Sequence, residues 1–105
     1  MLIAETFKAL GDPVRLEIIE RLSSGSLYTL SSVSKDLGLT RQGARKHLQV
    51  LADAELIKME PTGRNTIITF APASLKAADS FIKQLERKWD VRLEALREFA
   101  EGDKS

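Results

Sequence analysis

Residues 40–51, TRQGARKHLQVL, constrain this chain more than any other stretch. On a helix, at about 100° per residue, Arg41, Arg45, Gln49, Gln42 and Lys46 fall within one arc of roughly 140°. Gly43, Ala44, His47, Leu48, Val50 and Leu51 fill the opposite side. One face is therefore apolar enough to dock on a core. The other carries two arginines, a lysine and two glutamines, and residues 37–52 contain no carboxylate. Arginine and glutamine make paired hydrogen bonds to base edges in the DNA major groove. Thr40 stands at the N-cap position, where its hydroxyl can accept an otherwise unpaired backbone N–H. A solvated surface face is the competing reading of such a helix, so the flanking sequence decides between them.

Upstream, residues 2–10 read as a short helix with Ile3, Phe7 and Leu10 at helical spacing. Gly11-Asp12-Pro13 ends it and opens a second, since Asp12 can cap and proline suits the first helical position. That second helix, 14–22, repeats Val14, Ile18, Ile19 and Leu22 and stops at Ser23-Ser24-Gly25-Ser26. Leu27 and Tyr28 suit a brief strand, and Thr29 is the next cap, for a helix over 30–37. Gly38 is the residue expected in the left-handed conformation beyond its end. Two short helices joined by a glycine-containing turn of three or four residues form a helix-turn-helix, here spanning 29–51.

Downstream of Ala54 the apolar period changes from 3.6 to 2. Ile57 and Met59 alternate with Lys58 and Glu60, Pro61-Thr62-Gly63-Arg64 makes a turn, and 65–70 follows with Thr66, Ile68 and Phe70 on one face. This hairpin, 57–70, has a tight basic tip at Arg64. Directly behind a helix-turn-helix it is a wing. The remaining 72–101 is one long helix whose stripe holds Leu75, Ala78, Ile82, Leu85, Trp89, Leu93, Leu96 and Ala100. A helix packed wholly on its own domain is one reading. The length and the charged outer face favour a second molecule over it.

At 105 residues the chain makes one domain, mainly α with a small hairpin, for which dimerisation would add core. Its net charge is only +1, but residues 28–70 hold six Lys/Arg against four Asp/Glu, while the rest holds ten against eleven. The positive excess thus falls around the polar-faced helix. Without cysteine, disulfides and thiolate metal sites are excluded, and a single histidine leaves no usual zinc set. No cofactor, metal or membrane partner is expected, the expected compartment is the cytoplasm, and no residue set points to an effector ligand.

FKALGDPVRLEIIERL, LGLTRQGARKHLQVLADAELI and EPTGRNTIITF, in that order, resemble the ArsR/SmtB-like winged helix-turn-helix repressors. The tail FIKQLERKWDVRLEALREF resembles a subgroup without metal ligands. The resemblance implies a homodimer pairing through helices 1–10 and 72–101, with Ile3, Phe7, Leu75, Ile82, Leu85, Trp89, Leu93 and Leu96 at the contact. It implies double-stranded DNA as partner, with Arg41, Gln42 and Arg45 toward bases, and Thr40, Lys46 and the tip residue Arg64 toward phosphates. Gln49 completes the same face by spacing. The family's cysteine or histidine–aspartate sensing pairs have no counterpart here. Glycine is usual after the recognition helix, where this chain has Glu55. A left-handed non-glycine costs roughly 1 kcal/mol, so either the helix ends differently or the backbone bears the strain.

His47, in the middle of the apolar arc, is read as buried and hydrogen-bonded in preference to a ligand. Trp89 is read as interface in preference to a stacking platform. Gly43, costly inside a helix, would admit close approach of another helix. The expected function is a sequence-specific, dimeric transcriptional regulator, a repressor on a palindromic operator. The alternative is a winged-helix module that uses the same face for protein. Catalysis finds no support, since the serines are accounted for by caps and turns.

Overall fold

The computed structural model describes residues 3–102, and Leu2 of the first expected helix lies outside them. Five helices and three strands follow one another as α1 (Ile3–Leu10), α2 (Pro13–Ser23), β1 (Tyr28–Thr29), α3 (Leu30–Asp36), α4 (Arg41–Asp53), β2 (Ile57–Thr62), β3 (Asn65–Phe70) and α5 (Ala73–Gly102). The helix starts are local chemistry. Asp12 Oδ1 accepts from the amides of Val14 and Arg15 at 2.8 and 3.2 Å, with Pro13 in the first turn. Thr29 and Ser32 cap α3 reciprocally, each side chain accepting the other's backbone N–H.

Two helices end in the same hydrogen-bond pattern with different residues at the left-handed position. After α3, Gly38 (φ +63°) donates to Lys35 O and Leu39 donates to Ser34 O. After α4, Glu55 (φ +60°) donates to Ala52 O and Leu56 to Leu51 O, both at 2.9 Å. These paired bonds form a Schellman motif, completed by the fully buried Leu51 and Leu56. The helix therefore ends in a left-handed turn and the backbone bears the strain at Glu55. Ser74, fully buried on α5, donates its hydroxyl toward Ala54 O and Glu55 O at 2.9 and 3.2 Å and holds the strained turn in place.

The sheet order is β1-β3-β2, all antiparallel. Thr62 pairs with Asn65, so the turn expected over Pro61–Arg64 is shorter than its residue types suggested. It consists of Gly63 and Arg64 alone. Gly63 has φ +61° while Arg64 does not share the positive sign, the arrangement of a type II′ hairpin turn. Pro61 sits in β2, an edge strand, where its missing N–H disturbs no second ladder.

Ile18, Ile19 and Leu22 of α2, Leu30 and Val33 of α3, and Ala44, Leu48 and Leu51 of α4 form the core with Ile57 and Ile68 of the sheet. On α1 the core side holds Thr6 and Ala9. Ile3 and Leu10 are half-buried and Phe7 faces out, toward Phe81 of α5 at 6.1 Å between ring centres. Only the start of α5 belongs to this core, through Leu75, Ser74 and Ala78. Every residue from 79 to 102 is exposed. The molecule accordingly measures 75 × 24 × 22 Å with a radius of gyration of 19.9 Å, against about 13 Å for a compact chain of this size. No helix among the described residues is long and apolar enough to cross a membrane.

Candidate nucleic-acid interface

The turn that presents α4 is locked by side chains as well as by backbone. Ser34 Oγ donates to Leu39 O at 2.7 Å, tying α3 to the residue before the cap. Thr40 Oγ1 then accepts from Gly43 N at 2.9 Å, and its own O–H is left to donate outward. A β-carbon on Gly43 would stand 3.0 Å from that hydroxyl. The glycine thus leaves room for the cap, and the expectation of a second helix approaching it is not met.

Ala44, Leu48 and Leu51 bury one side of α4, and Arg41, Gln42, Arg45, Lys46 and Gln49 are exposed on the other. Val50, expected in the buried arc, is 39% exposed. The three buried side chains span only about 60° of the helix, and Val50 lies about 100° beyond them. Among the described residues, Arg41, Gln42, Arg45, Lys46 and Arg64 make no side-chain hydrogen bond or ion pair. The basic groups that do pair with acids, Arg21, Lys83 and Arg97, lie on α2 and α5. Gln49 is the exception on this polar face, donating through Nε2 to Asp53 Oδ1 at 2.8 Å. Asp53 is thus the first carboxylate on this face. Arg64 is exposed at the tip of the β2–β3 hairpin.

His47 is half-buried where full burial was expected, and it is hydrogen-bonded: Nδ1 lies 3.3 Å from Arg15 Nη1. This contact spans 32 positions of sequence and no local signal announces it. Leu75, expected at a subunit contact, packs on the domain's own core, while Ile82, Leu85, Trp89, Leu93 and Leu96 are exposed as a stripe. The stripe is also wider than its sequence reading, since Phe81 and Phe99 are exposed along its edge.

A helix-turn-helix domain profile matches residues 10–60. The chain is 38% identical over 76 residues to YuzN of Bacillus subtilis (strain 168), an uncharacterized HTH-type transcriptional regulator, covering 67% of this chain and 83% of that one. It is 31% identical over 99 residues to the HTH-type transcriptional regulator Rv2034 of Mycobacterium tuberculosis, covering 92% and 89%. An ArsR-like transcriptional regulator from Rhodococcus sp. RHA1 superposes with a TM-score of 0.86 at 30% identity, covering 95% of this chain and 91% of that one. The chain belongs to the ArsR/SmtB-like winged helix-turn-helix regulators. As a member of that family it is a DNA-binding transcriptional regulator. α3 and α4, joined by a short turn through Gly38, have the layout of a helix-turn-helix, and the β2–β3 hairpin follows them in the position of a wing. The carboxylate-poor face of α4 is exposed beside that turn.

Proposed function

We propose that this regulator is a repressor that binds a palindromic operator as a homodimer, with α4 in the major groove. The observation that carries the reading is the set of unpaired cationic side chains on α4 and at the wing tip. They are exposed, preceded by a hydroxyl cap and free of internal partners. Arg41, Gln42 and Arg45 read bases, Thr40 and Lys46 meet phosphates, and Gln49 joins them once it exchanges its bond to Asp53. Arg64 reaches a phosphate from the wing. The exposed stripe of α5, with Phe7 of α1, supplies the subunit contact, and two copies then enter successive grooves about 34–36 Å apart. Repression needs nothing beyond occupancy, because a dimer lying across two grooves denies that duplex to other proteins.

The test is a titration of a duplex selected by the wild type from a random pool. Arg45→Ala is expected to weaken binding by about 1–3 kcal/mol and relax preference at one base position. Arg64→Ala is expected to weaken all sequences evenly and to reduce the salt slope by about one. Arg45→Ala binding as tightly as wild type would remove α4 as the reading element. Affinity for duplex that ignores salt would favour a protein partner for this face.

A further inference from the structure

Arg15 of α2 stands at a corner where three helices meet. Its Nε donates to Ala9 O at 2.6 Å and its Nη2 to Lys8 O at 3.4 Å, capping the last carbonyls of α1. Its remaining nitrogen, Nη1, faces His47 Nδ1 of α4 at 3.3 Å. A guanidinium only donates, so Nδ1 is the acceptor and the ring proton sits on Nε2. Between the Ser34–Leu39 bond before its cap and the Ser74 bonds to Ala54 O and Glu55 O beyond its end, the body of α4 otherwise packs on the domain through apolar Ala44, Leu48 and Leu51. Apolar contacts set how far a helix lies from its neighbours, but they are non-directional and resist rotation about its axis weakly. The Arg15–His47 bond is directional. It is placed on the flank of α4, beside Lys46 and two residues from Arg45.

We propose that Arg15 and His47 are a positioning pair that fixes the roll of α4 against the α1–α2 corner, and so aims Arg41 and Arg45 at base edges. This rests on α4 being the reading helix. Side-chain tips lie about 5–6 Å from a helix axis, so a roll of about 10° moves them about 1 Å. Hydrogen bonds to bases form over a window of only about half an ångström, 2.7–3.2 Å, so a roll of that size separates a specific contact from a missed one. Phosphate contacts, made by flexible cations at longer range, are less sensitive. The pair therefore controls selectivity more than general affinity.

The experiment compares His47→Leu, which keeps bulk and removes the acceptor, with His47→Gln, which offers a carbonyl oxygen, and with Arg15→Met alone and combined with His47→Leu. Each folded variant, checked by its melting curve, is titrated against the duplex selected by the wild type and against a scrambled duplex of equal length. His47→Leu is expected to lose roughly tenfold on the selected duplex and less than about twofold on the scrambled one. Gln is expected to return within about threefold of wild type, and the double variant to bind no worse than Arg15→Met, the sign of a shared interaction. His47 is the only histidine, so its ring nitrogens are assigned directly in the DNA-free protein by NMR. The Nε2–H tautomer is expected, disturbed by Arg15→Met. Equal losses on both duplexes, an unchanged His47→Leu, additive variants or an Nδ1–H ring would each overturn the pairing. A wild type that selects no duplex would remove the DNA reading and this role with it. A wild type that selects one which His47→Leu binds equally well would remove this role alone.

Discussion

Trp89→Asp separates the two halves of the molecule. Trp89 is 59% exposed on a part of α5 that touches none of the winged core, so in a single copy the substitution leaves that core unaltered. Fully burying a large apolar side chain contributes about 1.5–3 kcal/mol. The exposed fraction of Trp89 leaves about 1–2 kcal/mol to be gained per copy, and a two-fold contact counts it twice. Losing it removes about 2–4 kcal/mol from association, a weakening of roughly 30- to 1000-fold, before the desolvation of two carboxylates is added. Sedimentation equilibrium should show a dimer for the wild type and monomers for Trp89→Asp at the same concentration. Its circular dichroism should keep the winged core, and its affinity for the selected duplex should fall severely although α4 is untouched. A Trp89→Asp protein that dimerises normally would refute the stripe as the subunit contact, as would a wild type that sediments as a monomer.

Three further outcomes are local. Glu55→Gly relieves about 1–2 kcal/mol of left-handed strain against about 0.5–1 kcal/mol of added chain freedom. Denaturant melts should thus show it up to about 1.5 kcal/mol more stable, with Glu55→Ala giving no such gain; a destabilised Gly variant would contradict the strain. Thr6 Oγ1 is buried without a hydrogen-bond partner, so Thr6→Val should add on the order of 1 kcal/mol in the same melts; a loss would mean the hydroxyl has a partner. The Asp12 carboxyl is held below its ordinary 3.8 by the Arg15 amide first, then by the Val14 amide and the nearby charge of Arg15. Its contribution is therefore complete above pH 3.8 and lost as pH falls through the lower folded value. Asp12→Asn should flatten that part of the acid limb in thermal melts, and an identical limb would argue against the cap's charge.

The elements legible in the sequence were those whose causes are local. Asp12, Thr29 and Thr40 cap helices through bonds two or three residues away, and Gly38 supplies the positive φ where its neighbours require one. Val50 was misplaced because residue type marks a broad apolar arc, whereas burial on α4 depends on where α2 and α3 sit, and they cover a narrower one. The apolar stripe groups Leu75 with the subunit contact, although it packs on the domain's own core, because helical period does not say where that core ends. Arg15 and His47 were invisible as a pair, each being ordinary on its own helix and joined only by the tertiary fold. Glu55 carried a warning, but its resolution depended on Ser74, nineteen residues on, reaching back to the turn.

The two residues of β1 have a consequence out of proportion to their length. Tyr28 and Thr29 pair with Ile68 and Ile67, and Thr29 is at once the cap of α3. The root of the wing is thereby hydrogen-bonded to the first residue of the helix-turn-helix, and hairpin and α4 share one frame. Adding a residue to each of β2 and β3 would carry Arg64 outward by about 3.3 Å while the reading helix keeps its bearing. Wing reach and helix aim are separate dimensions of this scaffold. In the proposed complex, a longer or shorter hairpin would change which phosphate is met without disturbing which bases are read.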